Sequence, residues 1–146
     1  MLKIPADILI VDDEKDFVEM LSLRLTDDGH RVRAAFSGEE GLAALDEAEC
    51  DVVILDIRMP GKDGISVLKS IKRRHPVVEV ILLTGHGTID TAVEGLKAGA
   101  FDYVQKPARF EELLDKLLAA RHRKAEHEER IRRAEARILM RHSGDI

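Results

Sequence analysis

An α/β domain with helices on both faces of a parallel sheet is the fold class this sequence predicts, on three observations. Strand-like and helix-like segments alternate five times along the chain. The first, third and fourth strand-like runs are apolar almost throughout, as strands covered on both faces must be. Three runs also end in charge: Ile8–Val11 leads into Asp12 and Asp13, Val52–Leu55 into Asp56, and Phe101–Gln105 into Lys106. If the strands are parallel, their carboxyl ends share one edge, where open α/β sheets place their ligand crevices. Three acids at close range raise one another's pKa values unless a cation joins them. The pattern therefore reads as a divalent-metal site beside one carboxylate with a further task.

Each element has its own signal. After Ile8–Val11, residues Phe17, Val18, Leu21 and Leu25 recur at helical spacing, and Gly29 stops that helix. Arg31–Ala35 is a second strand, more polar than the others and so a candidate edge. Ser37, with Glu40 three residues later, has the form of a capping box and opens a helix carrying Leu42, Leu45 and Ala48. The third strand ends at Asp56, and Met59-Pro60-Gly61 breaks the chain before a helix with Ile65, Leu68 and Ile71. His75-Pro76 ends that helix, and Val78–Leu83 forms a fourth strand stopping at Thr84. Gly85-His86-Gly87 leads to a helix with Ala92, Val93 and Leu96, closed by Gly99. The fifth strand ends at Lys106-Pro107, and a last helix begins near Phe110. Right-handed crossovers leave few topologies for such a chain. The natural choice is a flavodoxin-like, doubly wound sheet of five strands in the order 2-1-3-4-5, with its switch point beside the first and third strands. Asp12, Asp13 and Asp56 then meet at the crevice, and Thr84 and Lys106 lie along the same edge.

Composition narrows the classes. The 146 residues suit one domain and one core, and 45% apolar with 35% charged is ordinary for a globular chain. The net charge of −5 supplies no basic field for nucleic acid, so direct nucleic-acid binding is not expected. Cys50 has no disulfide partner and lies beside a buried strand, so it reads as a small packed residue. The N-terminus runs directly into the first strand without a secretory signal, and no apolar stretch nears the ~20 residues of a membrane span. A cytoplasmic protein with no membrane contact is the expectation.

With the edge residues in place, the chain resembles the receiver domain of two-component response regulators. The resemblance rests on Asp12-Asp13, Asp56, Thr84 and Lys106-Pro107 after successive strands. It extends to Met59-Pro60-Gly61-Lys62-Asp63-Gly64 and Gly99-Ala100-Phe101-Asp102-Tyr103, and covers residues 7 to about 120. It implies a signalling domain that accepts a phosphoryl group on Asp56 from a sensor histidine kinase or phosphotransfer protein, with Mg²⁺ as cofactor. Asp13 and Asp56 would ligate the ion directly, Asp12 directly or through water, and Arg58 through its backbone carbonyl. Lys106 would stand against one phosphoryl oxygen, and Thr84 would donate its hydroxyl to another. Tyr103 resembles the aromatic whose rotamer follows that threonine, and the Lys106–Pro107 bond is expected to be cis. Such a domain catalyses only its own phosphorylation and dephosphorylation. Its output is a change in the surface built from the fourth helix, fifth strand and last helix. The chemistry suits these residues: a carboxylate can be a covalent nucleophile, phosphoryl transfer needs positioning and charge neutralisation, and Mg²⁺ takes oxygen ligands.

Each residue also has a plainer use. Asp12 or Asp13 alone would serve as a helix cap, and Thr84 has ordinary strand propensity. Tyr103 reads equally well as a half-buried strand aromatic. His86, two past Thr84, and Arg58, two past Asp56, either tune the phosphoryl lifetime or simply face solvent. Gly85-His86-Gly87 lacks the third glycine of a dinucleotide fingerprint. A rival class is a metal-dependent phosphohydrolase similar to the haloacid-dehalogenase group, which needs a second acid two residues after the nucleophile. That position holds Arg58, so the general acid is missing. A scaffold module with a vestigial site is the third reading.

The division expected is a receiver over 1–120 and a charged helical extension or linker over 121–146, with no output domain. From Ala108 to Ser143 there is neither glycine nor proline. Glu126–Arg130, Glu128–Arg132 and Glu129–Arg133 are spaced for i,i+4 pairing. Ile131, Ala134 and Ile138 continue a sparse a/d pattern from Leu117 and Ala120, interrupted by Lys124 and His127. A solvated helix and a dimer seam are both open, as is a homodimer through the output face. The Thr84–Gly87 run and the charged helix resemble receivers that precede ATPase-type transcription activators.

Overall fold

The computed structural model describes residues 4–59, 63–85 and 89–144. Five strands, β1 (Asp7–Val11), β2 (Arg31–Ala35), β3 (Val52–Asp56), β4 (Glu79–Thr84) and β5 (Asp102–Gln105), form one sheet. Between and after them come α1 (Lys15–Asp27), α2 (Gly38–Glu47), α3 (Gly64–Arg74), α4 (Ile89–Lys97) and α5 (Phe110–Gly144). All neighbouring strands are parallel, in the flavodoxin-like order β2-β1-β3-β4-β5. The polar strand β2 lies at an edge, as its composition predicts.

The two-residue period of the strands divides the core. Leu9, Val11, Val53, Leu55, Val80 and Leu82 point to the layer shared with α2, α3 and α4. Ile8, Ile10, Val52, Ile54, Ile81 and Leu83 point to the layer shared with α1 and α5. Both faces are covered, which is why β1, β3 and β4 are apolar at nearly every position. β4 runs one residue later than Val78–Leu83. Val78 N–H is turned back to the His75 carbonyl at 3.1 Å, and Thr84 pairs with Gln105 inside the ladder.

Local signals fix the helix ends. Ser37 Oγ accepts from Glu40 N–H at 3.1 Å. The Glu40 carboxylate reaches back to Phe36 N–H at 2.9 Å, one residue before the cap itself. Gly29 and Gly99 follow α1 and α4 with φ of +98° and +110°, the left-handed region that favours glycine. At Gly64 a Cβ would lie 2.6 Å from the Ile57 carbonyl oxygen, so glycine alone lets α3 seat against the loop leaving Asp56. Cys50 is packed away beside β3, and burial pushes its thiol up to about 12.

α5 continues unbroken for 35 residues. Leu113, Leu117 and Ala120 are in the core of the domain, so the first members of the a/d pattern are already spent on it. Lys124 is only 7% exposed, with its ammonium 2.9 Å from Asp51 and 3.2 Å from Glu128. Its place in the pattern is thereby explained: it docks on its own sheet. Glu129 meets Arg133 at 3.1 Å as its spacing predicts. Glu128 takes Lys124 and Glu126 takes His122 at 2.6 Å, because each has a base one turn earlier as well as one turn later. No helix among the described residues is long and apolar enough to cross a membrane.

Candidate functional site

Register alone assembles the site. Val11 pairs with Leu55, Asp56 with Leu83, and Thr84 with Gln105, so the residues ending these strands form a row along the carboxyl edge. One oxygen from each of Asp12, Asp13 and Asp56 lies within 4.8 Å of the others. Asp12 and Asp56 are buried, whereas Asp13 opens to solvent. Asp12 Oδ1 accepts from Glu14 N–H at 3.0 Å, and its Oδ2 accepts from Lys106 Nζ at 2.7 Å. Asp12 therefore holds the backbone of the residue before α1 with one oxygen, but it does not cap the helix: the N-cap is Glu14, whose side chain makes no cap hydrogen bond. Asp56 Oδ1 accepts from Arg58 N–H at 2.9 Å, while Oδ2 lies 3.6 Å from Lys106 Nζ.

Burial drives the Asp56 carboxyl up to about 6, with the Asp12 charge adding to the rise and the Arg58 N–H and Lys106 opposing it. Burial works the other way on Lys106, disfavouring its ammonium. The Asp12 hydrogen bond and the charges of Asp56, Asp12 and Glu14 outweigh it and hold the lysine above its ordinary value. Thr84 is 1% exposed, and its hydroxyl has no hydrogen-bond partner among the described residues. A buried polar group left unpaired costs about 1–3 kcal/mol. Tyr103 is half-buried on β5, with Lys116 Nζ 2.8 Å from its carbonyl oxygen and 5.6 Å from its ring centroid. The Arg58 residue is exposed, and the Lys106–Pro107 bond is cis. Pro60, Gly61, Lys62, His86 and Gly87 lie outside the described residues.

Two neighbours of Lys106 escaped the sequence reading. Glu14 Oε1 stands 3.6 Å from Nζ, and the Phe17 ring centroid 4.4 Å. Glu14 follows Asp13 directly and its charge was a usable signal. Phe17 gave none, because its spacing belongs equally to the packing face of α1.

The donor set fits a magnesium ion. Two of the three clustered carboxylates, Asp12 and Asp56, face the Lys106 ammonium, the donors are all oxygen, and one acid is accessible, as a hard and strongly hydrated cation requires.

The carboxyl edge of this parallel sheet thus gathers a buried aspartate, a lysine and a hydroxyl with no partner among the described residues. Residues 8–118 match the response regulator receiver domain, and the chain belongs to that family, a domain of two-component systems with aspartate phosphorylation as its general function. Among its relatives are an NtrX-like response regulator of Rickettsia bellii and the transcriptional regulatory protein ZraR of Salmonella typhimurium. The first is 42% identical over 74% of this chain and 23% of the relative. The second is 41% identical over 82% of this chain and 28% of the relative. The chain thus spans about a quarter of the length of these relatives. The crystal structure of NtrX from Brucella abortus in complex with ADP superposes with a TM-score of 0.82 at 37% identity, covering 86% of this chain and 29% of that one. The isolated receiver domain of the same protein gives 0.77 at 38% identity, covering 80% and 98%.

Proposed function

We propose that Asp56 is the phosphoryl acceptor, taking the group from the phosphohistidine of a sensor histidine kinase or phosphotransfer protein. The observation that carries this is the Asp56 oxygen 3.6 Å from Lys106 Nζ, on an edge that also holds the Thr84 hydroxyl, unpaired among the described residues. An Asp56 oxygen forms the new P–O bond as the P–N bond breaks. The nitrogen keeps the electron pair, the imidazole takes up a proton, and the carboxylate becomes an acyl phosphate. Asp13 and Asp56, Asp12 directly or through water, and the Arg58 carbonyl would hold Mg²⁺, which supplies charge neutralisation for the phosphoryl oxygens. Lys106 adds the fixed protein charge.

The phosphoryl group brings roughly one to two negative charges and a new acceptor for the Thr84 hydroxyl. Tyr103 follows the threonine, and the α4-β5-α5 face changes its preferred partner. Residues 1–120 act as the receiver and 121–146 as the link to an output domain of the kind its longer relatives have room for. The chain works in the cytoplasm without contacting membrane or nucleic acid itself. Two copies pair through the α4-β5-α5 face or along α5, where Ile131 and Ile138 are exposed. Parallel pairing along α5 would set Arg130 of one copy against Glu135 of the other.

Incubation with Mg²⁺ and acetyl phosphate should add one phosphoryl mass to the chain and none to Asp56→Ala. A modification that persists in the variant rejects the assignment.

A further inference from the structure

From the contacts around Lys106 we infer that Phe17 is a positioning residue for phosphoryl transfer, acting through the lysine ammonium; the inference rests on Asp56 being the acceptor. Lys106 Nζ is held by Asp12 at 2.7 Å, and it has Asp56 and Glu14 each at 3.6 Å. The fourth contact is the Phe17 ring, with its centroid 4.4 Å away, inside the range where an ammonium is drawn to an aromatic face. The lysine stem has four rotatable bonds, and an ammonium is a point charge with no directional fork to hold it. Its position is therefore set by what surrounds it.

The acids alone would not fix that position. Glu14 is largely exposed, and an ammonium drawn toward it leaves the buried edge. The ring offers attraction without consuming an N–H donor, so the three donors stay available for carboxylate and phosphoryl oxygens. It also stands on a fixed support. Phe17 lies in the first turn of α1, and Val18, Leu21 and Leu25 bury that helix against the sheet. The same face is satisfied elsewhere by aliphatic side chains, so packing by itself does not call for an aromatic ring here.

The decisive experiment keeps the shape and changes the ring's electrostatics. Phe17 is replaced by mono-, tri- and pentafluorophenylalanine, and the rate of phosphoryl uptake from acetyl phosphate with Mg²⁺ is followed by mass. The rate should fall stepwise with fluorination, reaching on the order of three- to tenfold at the pentafluoro ring, while thermal unfolding stays near wild type. Phe17→Tyr should retain the rate, and Phe17→Leu should lose it by a similar factor. A pentafluoro chain that phosphorylates at the wild-type rate overturns the positioning role alone. A wild-type chain that takes up no phosphoryl group removes the acceptor assignment and the positioning role together.

Discussion

Replacing Asp56 by Asn is expected to stabilise the metal-free domain at neutral pH. Burial and the Asp12 charge hold this carboxyl at about 6, against an ordinary 3.8. A folded-state pKa above the unfolded one means that the folded chain binds the proton more tightly. The resulting stabilisation is complete below 3.8 and is lost as the pH rises through 6. Above that, the folded state carries an ionised carboxylate that it disfavours by roughly 3 kcal/mol, at about 1.4 kcal/mol for each tenfold change in ionisation. Asparagine keeps an oxygen for the Arg58 N–H and carries no charge. The expected gain at pH 8 in EDTA is about 1–3 kcal/mol, or roughly 3–10 °C in Tm for a chain of this size. The assay is thermal and urea unfolding followed by circular dichroism at pH 4, 6 and 8. The gap should close toward pH 4, and Mg²⁺ should raise the wild type while moving the variant little. An Asn variant no more stable than wild type at pH 8 without metal would refute the electrostatic account, as would a gap independent of pH.

Thr84→Val should raise the stability of the unphosphorylated domain by about 1 kcal/mol, since among the described residues its hydroxyl has no partner to lose. The variant should still take up phosphate, but lose phosphorylation-dependent shifts in the NMR spectrum of Tyr103. Lys124→Met keeps the buried stem and removes the charge beside Asp51, and should cost about 1–3 kcal/mol in urea unfolding at pH 7. Burial is the largest single influence and disfavours the Lys124 ammonium, but the hydrogen bonds and charges of Asp51 and Glu128 together outweigh it and raise the folded pKa above 10.5. Its contribution is thus present below 10.5 and lost as pH rises through the higher folded value, so this difference should shrink only in strong alkali. Ile131→Asp combined with Ile138→Asp should lower the molar mass in sedimentation equilibrium if α5 forms the seam. An unchanged mass from a dimeric parent would move the seam to the α4-β5-α5 face.

Most of the fold could be read from residues because its signals are local. Apolar runs, a serine cap and left-handed glycines each act within a few positions. The edge residues were legible for a different reason. Parallel register brings every strand's last residue to the same end, so Asp12, Asp56, Thr84 and Lys106 needed no long-range knowledge to be placed together. What escaped depends on where α5 lies against the sheet. Lys124 looked like a flaw in a coiled-coil pattern, and only the contact with Asp51, 73 residues away, shows it as an anchor. Phe17 escaped because a helix-face aromatic carries the same periodicity whether or not an ammonium sits over it.

The two ends of the sheet make an internal comparison. At the amino edge, Asp7, Asp51 and Glu79 stand on or beside the starts of β1, β3 and β4, much as Asp12 and Asp56 stand at the ends of β1 and β3. Each amino-edge acid has a base: Arg31 for Asp7 at 2.6 Å, Lys124 for Asp51, and both Lys72 and Arg123 for Glu79 at 3.1 and 3.3 Å. Three acids meet four bases there, two of them from α5, and the result is an anchor for the helix. At the carboxyl edge, among the described residues, Asp12, Asp56 and Glu14 all turn to the one ammonium of Lys106, with Asp13 clustered beside them. Among the described residues, the same strand-end chemistry is neutralised at one edge and left in deficit at the other. That deficit, rather than the mere presence of aspartates, is what a bound divalent cation would answer. Glu79 at the amino edge and the Tyr103 carbonyl within β5 both bind bases of α5, so β4 and β5 are each tied directly to that helix.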